Sequence, residues 1–402
     1  MKLAIITTHP IQYYAPWFAR LASEPGLAPK AFYLWDFGVT EKVDRGFGRM
    51  LKWDLSLLDG YEYEFVPNIS SRPGTHHFWG LHNPRLLQSV RRYNPDAVLL
   101  IGYNYASLFN FILRWDRVKA PLILRGDSHR LVPRSGLKEL LRRRLISTVF
   151  GRFARVLYVG KANYDYFRYH GVSQDKLFPA PHAVNNERFF GEHERVREAA
   201  SEWRKDLGIP SHHKVVLFAG KLEEKKRPLD LLQAFTDSDF ESTSLLFVGN
   251  GHLESELRRQ ASGCDSVFFA PFQNQSLMPR TYAAADLFVL PSYGPGETWG
   301  LAINEAMCLS LPIIASDHVG CAQDLIFPYK NGLTFTAGDV PALANCLRES
   351  LSDSARLASW GQESRNIVGQ YSYGAATAGL MAAMESIRSS SDKGSEYTYL
   401  AG

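Results

Sequence analysis

Two glutamates in the second half of the chain have a spacing that suits one elongated ligand. Glu297 lies in a loop rich in glycine and proline, and Glu305 follows about two turns into an apolar helical pattern. The apolar run from Leu287 to Leu290 precedes the loop, so a strand, a loop and a helix N-terminus follow in succession. The unpaired N–H groups and the positive dipole end of such a helix suit a diphosphate. The segment therefore predicts a site for a phosphate-bearing ligand.

Short apolar runs alternate with helical patterns through most of the chain. The runs predict strands at 3–6, 31–34, 97–101, 122–124 and 156–159 in the first half, and at 215–218, 245–248, 267–269, 287–290 and 312–315 in the second. This rhythm predicts parallel sheets with helices on both faces. A charged stretch from about 185 to 213 separates two such series, so we expect an α/β fold with two doubly wound Rossmann-like domains facing a central cleft. The predicted units are an acceptor-side domain over 1–190, a donor domain over 191–373, a C-terminal helix over 374–388 that returns to the first domain, and a flexible tail over 389–402.

Composition excludes several classes of protein. The chain has 402 residues, of which 45% are hydrophobic and 21% charged, so it is globular, and its net charge of +4 does not indicate nucleic-acid binding. The four cysteines lie in the second half without metal-ligand spacing, so no metal site is expected. The first apolar run is too short for a signal peptide, and the most apolar window, 98–115, is interrupted by polar residues. We expect a cytoplasmic protein, soluble or bound peripherally to the inner face of the plasma membrane.

The segment around the two glutamates resembles the Glu-x7-Glu signature of retaining GT-B glycosyltransferases. The resemblance is to family 4, or group 1, of the bacterial envelope and capsular polysaccharide type. It implies that Glu297 contacts the donor sugar and that Glu305 holds the ribose hydroxyls of a nucleotide. It also implies that the backbone of Thr298, Trp299 and Gly300 adds to the donor cradle. The residues that carry the resemblance are Pro291-Ser292, Glu297, Gly300 and Glu305-Ala306.

A second segment resembles the part of the same family that holds the donor diphosphate. Gly220 and Lys221 end an apolar run, and a basic turn follows a few residues later. Lys221 stands where arginine is commoner, which keeps the charge but loses bidentate geometry. Lys226 matches the second basic position, with Lys225 as the alternative register, and a solvated charged turn is the competing interpretation. Phe272 is the first residue of the segment Phe272-Gln273-Asn274, which stands where this family usually has the loop that contacts the base of the nucleotide.

Polar residues in predicted loops of the first half could line the cleft from the other side. Loops at the carboxyl ends of parallel strands face the ligand in open α/β sheets. His9 and Asp127 are our candidates for the reaction centre, and Gln12, Arg125 and His129 are further acceptor-side candidates. Each of these residues alone is more often a loop hydrogen-bonder than a catalyst.

Positive charge is concentrated between residues 125 and 155, where nine Lys or Arg stand against two Asp or Glu. Leucines recur there at helical spacing beside Lys138, Arg142, Arg143 and Arg144, which predicts a basic amphipathic helix. Such a helix could dock on an anionic membrane or orient a lipid-linked acceptor. The alternative is a solvated helix whose leucine face packs into the domain, and the two interpretations are compatible.

We therefore expect an enzyme: a retaining hexosyltransferase that moves a sugar from a UDP- or GDP-linked donor to a saccharide or lipid-linked acceptor. No cofactor beyond the donor substrate, no metal and no nucleic acid is expected. Asp237 and Asp239 resemble an Asp-x-Asp metal motif, but their place in a polar turn after a helical pattern favours a surface turn. A sugar-nucleotide epimerase on the same fold and a non-catalytic nucleotide-sugar-binding protein are the alternatives.

Overall fold

The computed structural model of the chain describes residues 1–44, 48–133, 135–191 and 193–399. The first part of the chain forms a parallel sheet of seven strands in the order β5-β2-β1-β6-β7-β8-β9, beside a two-stranded hairpin of β3 and β4. The strands are β1 (Lys2–Thr7), β2 (Ala28–Tyr33), β3 (Lys42–Asp44), β4 (Arg49–Leu51), β5 (Glu62–Phe65), β6 (Ala97–Ile101), β7 (Leu122–Arg125), β8 (Arg155–Tyr158) and β9 (Leu177–Pro179). The helices are α1 (Ala15–Ala22), α2 (Leu86–Tyr93), α3 (Ala106–Arg114), α4 (Leu137–Phe150), α5 (Lys161–Tyr169) and α6 (Asn186–Phe190).

The second part forms a parallel sheet of six strands in the order β12-β11-β10-β13-β14-β15. Its strands are β10 (Lys214–Ala219), β11 (Thr243–Val248), β12 (Val267–Ala270), β13 (Leu287–Leu290), β14 (Ile313–Ser316) and β15 (Gly332–Phe335). The helices are α7 (His193–Asp206), α8 (Pro228–Thr236), α9 (Glu254–Gln260), α10 (Met278–Ala283), α11 (Leu301–Cys308), α12 (Ala322–Leu325), α13 (Val340–Leu351), α14 (Ser354–Val368) and α15 (Tyr373–Tyr399). The predicted α/β class with two doubly wound sheets is confirmed.

Each sheet reverses its strand order at one point, and that point determines where a ligand can bind. In the first sheet the reversal lies between β1 and β6, and in the second between β10 and β13. The loops leave in opposite directions at such a point and open a crevice at the carboxyl ends of the strands. Central strands such as β6 and β13 are buried along their whole length, so the sheets provide a rigid base for these loops.

The sequence patterns missed β5, β9 and β15, which all lie at the edge of a sheet. An edge strand is covered less completely than a central strand, so its apolar pattern is weaker. In β5 the four residues Glu-Tyr-Glu-Phe are exposed or half-buried, which hides the strand from a search for apolar runs.

Helix α15 follows the second domain in the chain, but it packs against the sheet of the first domain. Leu380 and Met384 join the buried cluster that contains Leu3 and Ile5 of β1. The helix runs to Tyr399, whereas we predicted a flexible tail from 389, because each added helical residue gains a hydrogen bond without a new nucleation step. Residues 400–402 lie outside the described residues.

The leucine face of helix α4 does not pack into the domain, which contradicts the alternative interpretation of this segment. Its buried side chains are Glu139, Ile146, Val149 and Phe150. The side chains of its four leucines are 48–71% exposed, and they form one stripe along the outer surface of the helix: Leu137, Leu140, Leu141 and Leu145.

Candidate active site

A cavity of about 500 Å³ lies between the carboxyl ends of the two sheets, within the size range of small-molecule sites. Both domains contribute to its wall, as expected for a cleft at two topological switch points. The first domain supplies Gln12, Tyr13, Asp44, Asp127 and His182, and the second supplies Gly220, Lys221, Lys225, Lys226, Phe272, Glu297, Thr298, Trp299, Gly300 and Glu305.

Lys226 and Glu297 form an ion pair within this cavity, although 71 residues separate them. Lys226 ends a single 3₁₀ turn after β10, and Glu297 lies in the loop after β13, the strand beside β10. Ser292 donates a hydrogen bond to Glu297 Oε2 at 2.9 Å. Burial opposes ionisation of Glu297, but Lys226 and Ser292 outweigh it and hold the pKa of that carboxyl below its ordinary value. Glu297 is therefore a carboxylate at neutral pH.

The structure distinguishes the two neighbouring lysines. Lys225 Nζ lies 3.2 Å from Glu223 Oε1, and about half of the Lys225 side chain is exposed. Lys226 has a 17% exposed side chain and points at Glu297. Both lysines line the cavity, but Lys226 occupies the inner position. The geometry therefore favours Lys226 over Lys225 as the inner contact for a ligand anion.

Lys221 pairs across the cleft with a residue that the sequence did not single out. Its Nζ lies 2.9 and 3.2 Å from the two carboxylate oxygens of Asp44, the last residue of β3. Behind it, the loops after β10 and β11 touch, since a Cβ at Gly249 would lie 1.9 Å from Gly220 O. Only a glycine at position 249 allows this approach, which brings the backbone of both loops to the cavity wall.

Glu305 is almost fully buried at 2% exposure, and two tyrosine hydroxyls hold its carboxylate. Tyr282 of the second domain donates to Oε2 at 2.8 Å, and Tyr13 of the first domain donates to Oε1 at 3.2 Å. Burial raises the pKa of Glu305 above its ordinary value, and the tyrosines and Arg188 offset this only in part. A carboxylate that accepts two hydroxyl hydrogen bonds is well suited to hold the hydroxyls of a ligand.

Asp127 joins the site from the loop after β7. Thr298 donates a hydrogen bond to Asp127 Oδ2 at 2.7 Å, and His182 Nε2 lies 3.7 Å from the same oxygen. His182 is 4% exposed, and its Nε2 has no hydrogen-bond partner among the described residues. Burial opposes ionisation of Asp127, yet His182 and Thr298 together hold its pKa below the ordinary value. No sequence pattern marked His182, which follows β9 in an irregular loop.

Other first-domain candidates have different positions. His9 is not among the described residues that line the cavity. Its ring packs edge-on against Trp35 and Phe37, with its centroid 5.8 Å from that of Trp35 and 5.4 Å from that of Phe37. Burial lowers the pKa of His9 to about 4, so its ring is neutral at pH 7. Arg125 is buried and donates to the carbonyl oxygens at 180 and 181, which fixes the loop that carries His182.

The remaining predicted donor contacts lie at the cavity wall. The indole N–H of Trp299 donates a hydrogen bond to Asn304 Oδ1 at 2.8 Å. Gly300 has a φ of 99° at the start of α11, and a Cβ there would lie 2.9 Å from Val319 Cγ1. Phe272 has its ring 6.3 Å from that of Trp53 in the first domain.

No described group of three His, Cys, Asp or Glu side chains has the arrangement of a metal site. Asp237 and Asp239 are exposed in the turn that follows the C-terminal end of α8. The C-terminal end of a crossover helix lies at the edge of the sheet opposite the carboxyl ends of its strands. Their position agrees with the surface-turn interpretation.

Two parallel doubly wound sheets facing a shared cleft define a GT-B fold, and comparison with solved structures agrees. The Anabaena HepE structure in complex with UDP and glucose has a TM-score of 0.71 at 18% identity, covering 96% of this chain and 100% of that chain. The sucrose-phosphate synthase of Thermosynechococcus elongatus has a TM-score of 0.71 at 18% identity, covering 97% and 100%.

Residues 199–367 match the family model described as glycosyl transferases group 1, which confirms the resemblance inferred from the residues of the second domain. The sulfoquinovosyl transferase of Arabidopsis thaliana is 31% identical over 195 residues, which cover 48% of this chain and 36% of that protein. The phosphatidyl-myo-inositol mannosyltransferase of Mycobacterium leprae is 28% identical over 191 residues, which cover 46% and 50%. The chain thus spans half or less of the length of these two relatives.

Proposed function

We propose that this protein is a retaining glycosyltransferase of polysaccharide or glycolipid synthesis, with a nucleotide diphosphate sugar as donor. One observation carries the proposal: the side chains of Lys221, Lys226, Glu297 and Glu305, from separate segments of the second domain, all line a single cavity between the domains. Comparisons add support, since HepE was solved with UDP and glucose and the relatives are named as sugar transferases.

The donor would lie along the second domain. Lys221 and Lys226 supply the positive charge that a diphosphate requires, and Glu305 accepts hydrogen bonds from ribose hydroxyls. Glu297 lies beside Lys226, so it would meet the sugar next to the diphosphate. Phe272 extends the wall toward the base.

Catalysis would rest on the leaving group. The bond between the anomeric carbon and the diphosphate oxygen breaks, the acceptor oxygen bonds to the same face, and the acceptor proton passes to the departing diphosphate. Lys221 and Lys226 stabilise the charge that grows on that diphosphate, so the reaction needs no enzymic nucleophile. Asp127, fixed by Thr298, is positioned to accept a hydrogen bond from a sugar or acceptor hydroxyl.

A panel of UDP- and GDP-linked sugars tests the function. We expect one donor to release its nucleotide slowly in the absence of an acceptor. NMR should show that the sugar, when it is first released or transferred, has the same anomeric configuration as in the donor. Inversion would contradict retention. A recovered donor with an altered sugar stereocentre would establish the epimerase alternative, and binding without any turnover would establish the non-catalytic one.

The two lysines also predict that a bound cation is not needed to neutralise the diphosphate. We expect donor hydrolysis to continue in excess EDTA at the rate seen with added Mg²⁺. Loss of activity in EDTA, restored by Mg²⁺ or Mn²⁺, would contradict this part of the proposal.

Helix α4 supports peripheral binding to an anionic membrane, where a lipid-linked acceptor would be found. No helix in the described part of the chain has both the length and the apolar character that a bilayer crossing requires. The leucine stripe of α4 (Leu137, Leu140, Leu141 and Leu145) is instead exposed, and Lys138, Arg143 and Arg144 beside it are exposed as well. Leucines would enter the interface while each basic residue adds about 1 kcal/mol near an anionic surface.

Vesicle co-sedimentation with phosphatidylglycerol-containing liposomes tests this surface. We expect Leu137→Ser with Leu141→Ser to reduce binding at both low and high salt, and Lys138→Glu with Arg144→Glu to reduce it mainly at low salt. Val118→Ser is the matched control, because Val118 is 97% exposed in the same domain but lies outside the stripe. Equal binding by all variants would reject the surface.

A further inference from the structure

A second, smaller cavity adjoins the proposed donor site and has no role in it. Its volume is about 120 Å³, and it lies between the loop after β7 and the first turns of α4. His129, Glu139 and Arg142 line it from the first domain, and Thr298 lines it from the second. Thr298 also lines the donor cavity, so the two cavities meet at this residue.

Glu139 is the residue that points to a ligand. It is 6% exposed, and its Oε2 lies 3.5 Å from Arg142 Nη1. Its Oε1 is buried and has no hydrogen-bond partner among the described residues. A buried polar atom without a partner is destabilising, so native structures rarely retain one unless a water or a ligand satisfies it. A ligand hydroxyl in this cavity would provide that hydrogen bond.

The other walls indicate the chemical class of the ligand. Arg142 supplies guanidinium donors for hydroxyl oxygens, and the almost fully buried Tyr166 also lines the cavity, with its hydroxyl 2.8 Å from that of Tyr103. Arg130 stacks on Tyr169 at 3.4 Å and closes a further side. A carboxylate beside a guanidinium provides the hydrogen-bond acceptors and donors that match the hydroxyls of a sugar ring. The volume is well below that of a site for a larger ligand, so the cavity suits a single sugar ring.

His129 connects this cavity to the donor loop. Its Nε2 donates to the carbonyl oxygen of Glu297 at 3.1 Å, while its Nδ1 accepts from the N–H of Leu131 at 3.3 Å. The loop that would position the donor sugar therefore touches the wall of the second cavity. A sugar held there would lie across the Asp127–Thr298 hydrogen bond from the donor.

We propose that this second cavity binds the terminal monosaccharide of the acceptor, with Glu139 and Arg142 recognising its hydroxyls. The inference rests on the proposed function and adds the acceptor subsite to it. It also separates the roles of neighbouring residues on α4, because Arg142 is half-buried beside Glu139 whereas Arg143 and Arg144 are exposed. The outer surface of α4 would contact the membrane while its inner surface holds the sugar.

Saturation-transfer NMR with methyl glycosides of glucose, galactose, mannose and glucuronic acid tests the site directly, on the protein loaded with UDP or GDP. We expect at least one glycoside to bind and to accelerate nucleotide release from the sugar donor. Glu139→Gln and Arg142→Ala should each raise the apparent KM for that glycoside about tenfold or more, since each removes a charged hydrogen bond. Thr148→Ala is the control on the same helix, because Thr148 is exposed and lies outside the second cavity.

Three readouts separate the possible failures. Nucleotide affinity and donor hydrolysis without acceptor should stay within about twofold of wild type in all three variants, because these residues lie outside the donor cavity. Failure of the wild-type protein to hydrolyse any donor would contradict the proposed function itself. No binding of any methyl glycoside, or an unchanged KM in both cavity variants, would overturn the acceptor subsite while leaving the donor site intact. Arg142→Ala keeps the test valid if Glu139→Gln does not fold.

Discussion

The two domains contribute to the cleft in different ways. The second domain places its ionisable groups on two short segments, 220–226 and 291–305, each following a strand at the switch point of its sheet. The first domain contributes single residues from separate loops. Three of these contact the second-domain site: Tyr13 on Glu305, Asp44 on Lys221, and Asp127 on Thr298.

Contacts formed in the cleft also determine how the two glutamates of the second domain ionise. Desolvation disfavours the charged form of both Glu297 and Glu305, yet the pKa of Glu297 is lowered and that of Glu305 is raised. A lysine faces Glu297, whereas neutral hydroxyls face Glu305. Neighbours brought together by the fold therefore determine the charge state of two residues that look alike in the sequence.

The largest effect should come from the inner lysine of the second domain. We expect Lys226→Ala to lower kcat for donor hydrolysis about 10²–10³-fold, because it removes a cation aimed at the leaving group and leaves Glu297 without its partner. Lys225→Ala, one residue away and paired with Glu223, should cost less than about tenfold. Steady-state kinetics of both variants decide the register, and a larger loss in Lys225→Ala would reverse the assignment.

Glu305 tests a contact that the two domains share. Removal of a charged hydrogen bond costs about 1.5–3 kcal/mol, so Glu305→Ala should weaken nucleotide binding tenfold or more by calorimetry. Tyr13→Phe and Tyr282→Phe each remove one hydroxyl from the same carboxylate, and we expect a smaller loss from each. Wild-type affinity in Glu305→Ala would reject the ribose assignment.

Asp44 should oppose donor binding, because a diphosphate must replace it as the partner of Lys221. We expect Asp44→Asn to tighten UDP or GDP binding about two- to fivefold, the range of a partly exposed ion pair. Asp36→Asn is the matched control, since Asp36 pairs with Lys42 on the same hairpin but lies outside the cavity. Weaker binding in Asp44→Asn would mean that the carboxylate itself contacts the donor.

Ionisation of Glu297 should stabilise the folded protein, whereas ionisation of Glu305 should destabilise it. Because the folded pKa of Glu297 is lowered, its stabilising contribution is present above the ordinary value of 4.5 and is lost as the pH falls through the folded pKa. The folded pKa of Glu305 is raised, so its ionisation destabilises the fold as the pH rises above 4.5. At pH 7.5 we expect Glu297→Gln to lower Tm and Glu305→Gln to raise it, each by about 2–4 °C.

Thermal scans at pH 7.5 and pH 4 measure this contrast. At pH 4 most of both carboxyl groups would be protonated in the unfolded chain, so the gain from Glu305→Gln should vanish. Glu363→Gln, which removes an ion pair with a 56% exposed Lys330, should leave Tm nearly unchanged at both values. A shift of the same sign in both cavity variants would contradict the opposite environments.

Much of the second domain could be predicted from the sequence. Apolar runs marked β10 to β14, and the spacing between Glu297 and Glu305 placed one residue in a loop and the other on a helix. These signals are local, because a strand, its following loop and the next helix are contiguous in the chain. The edge strands β5, β9 and β15 were missed, and the burial of the α4 leucines was left open, since burial depends on what packs against an element and periodicity does not reveal it.

The sequence by itself determined the α/β class, the two sheets and the segments that carry the lysines and glutamates. Only the tertiary structure decided which of these residues meet. Asp44 reaches Lys221 across 177 positions, His182 approaches Asp127, and Glu139 is buried on α4, where no sequence pattern marked it. Such contacts join loops whose separation in the chain has no fixed period, so they follow from the packing of the domains and not from any local pattern.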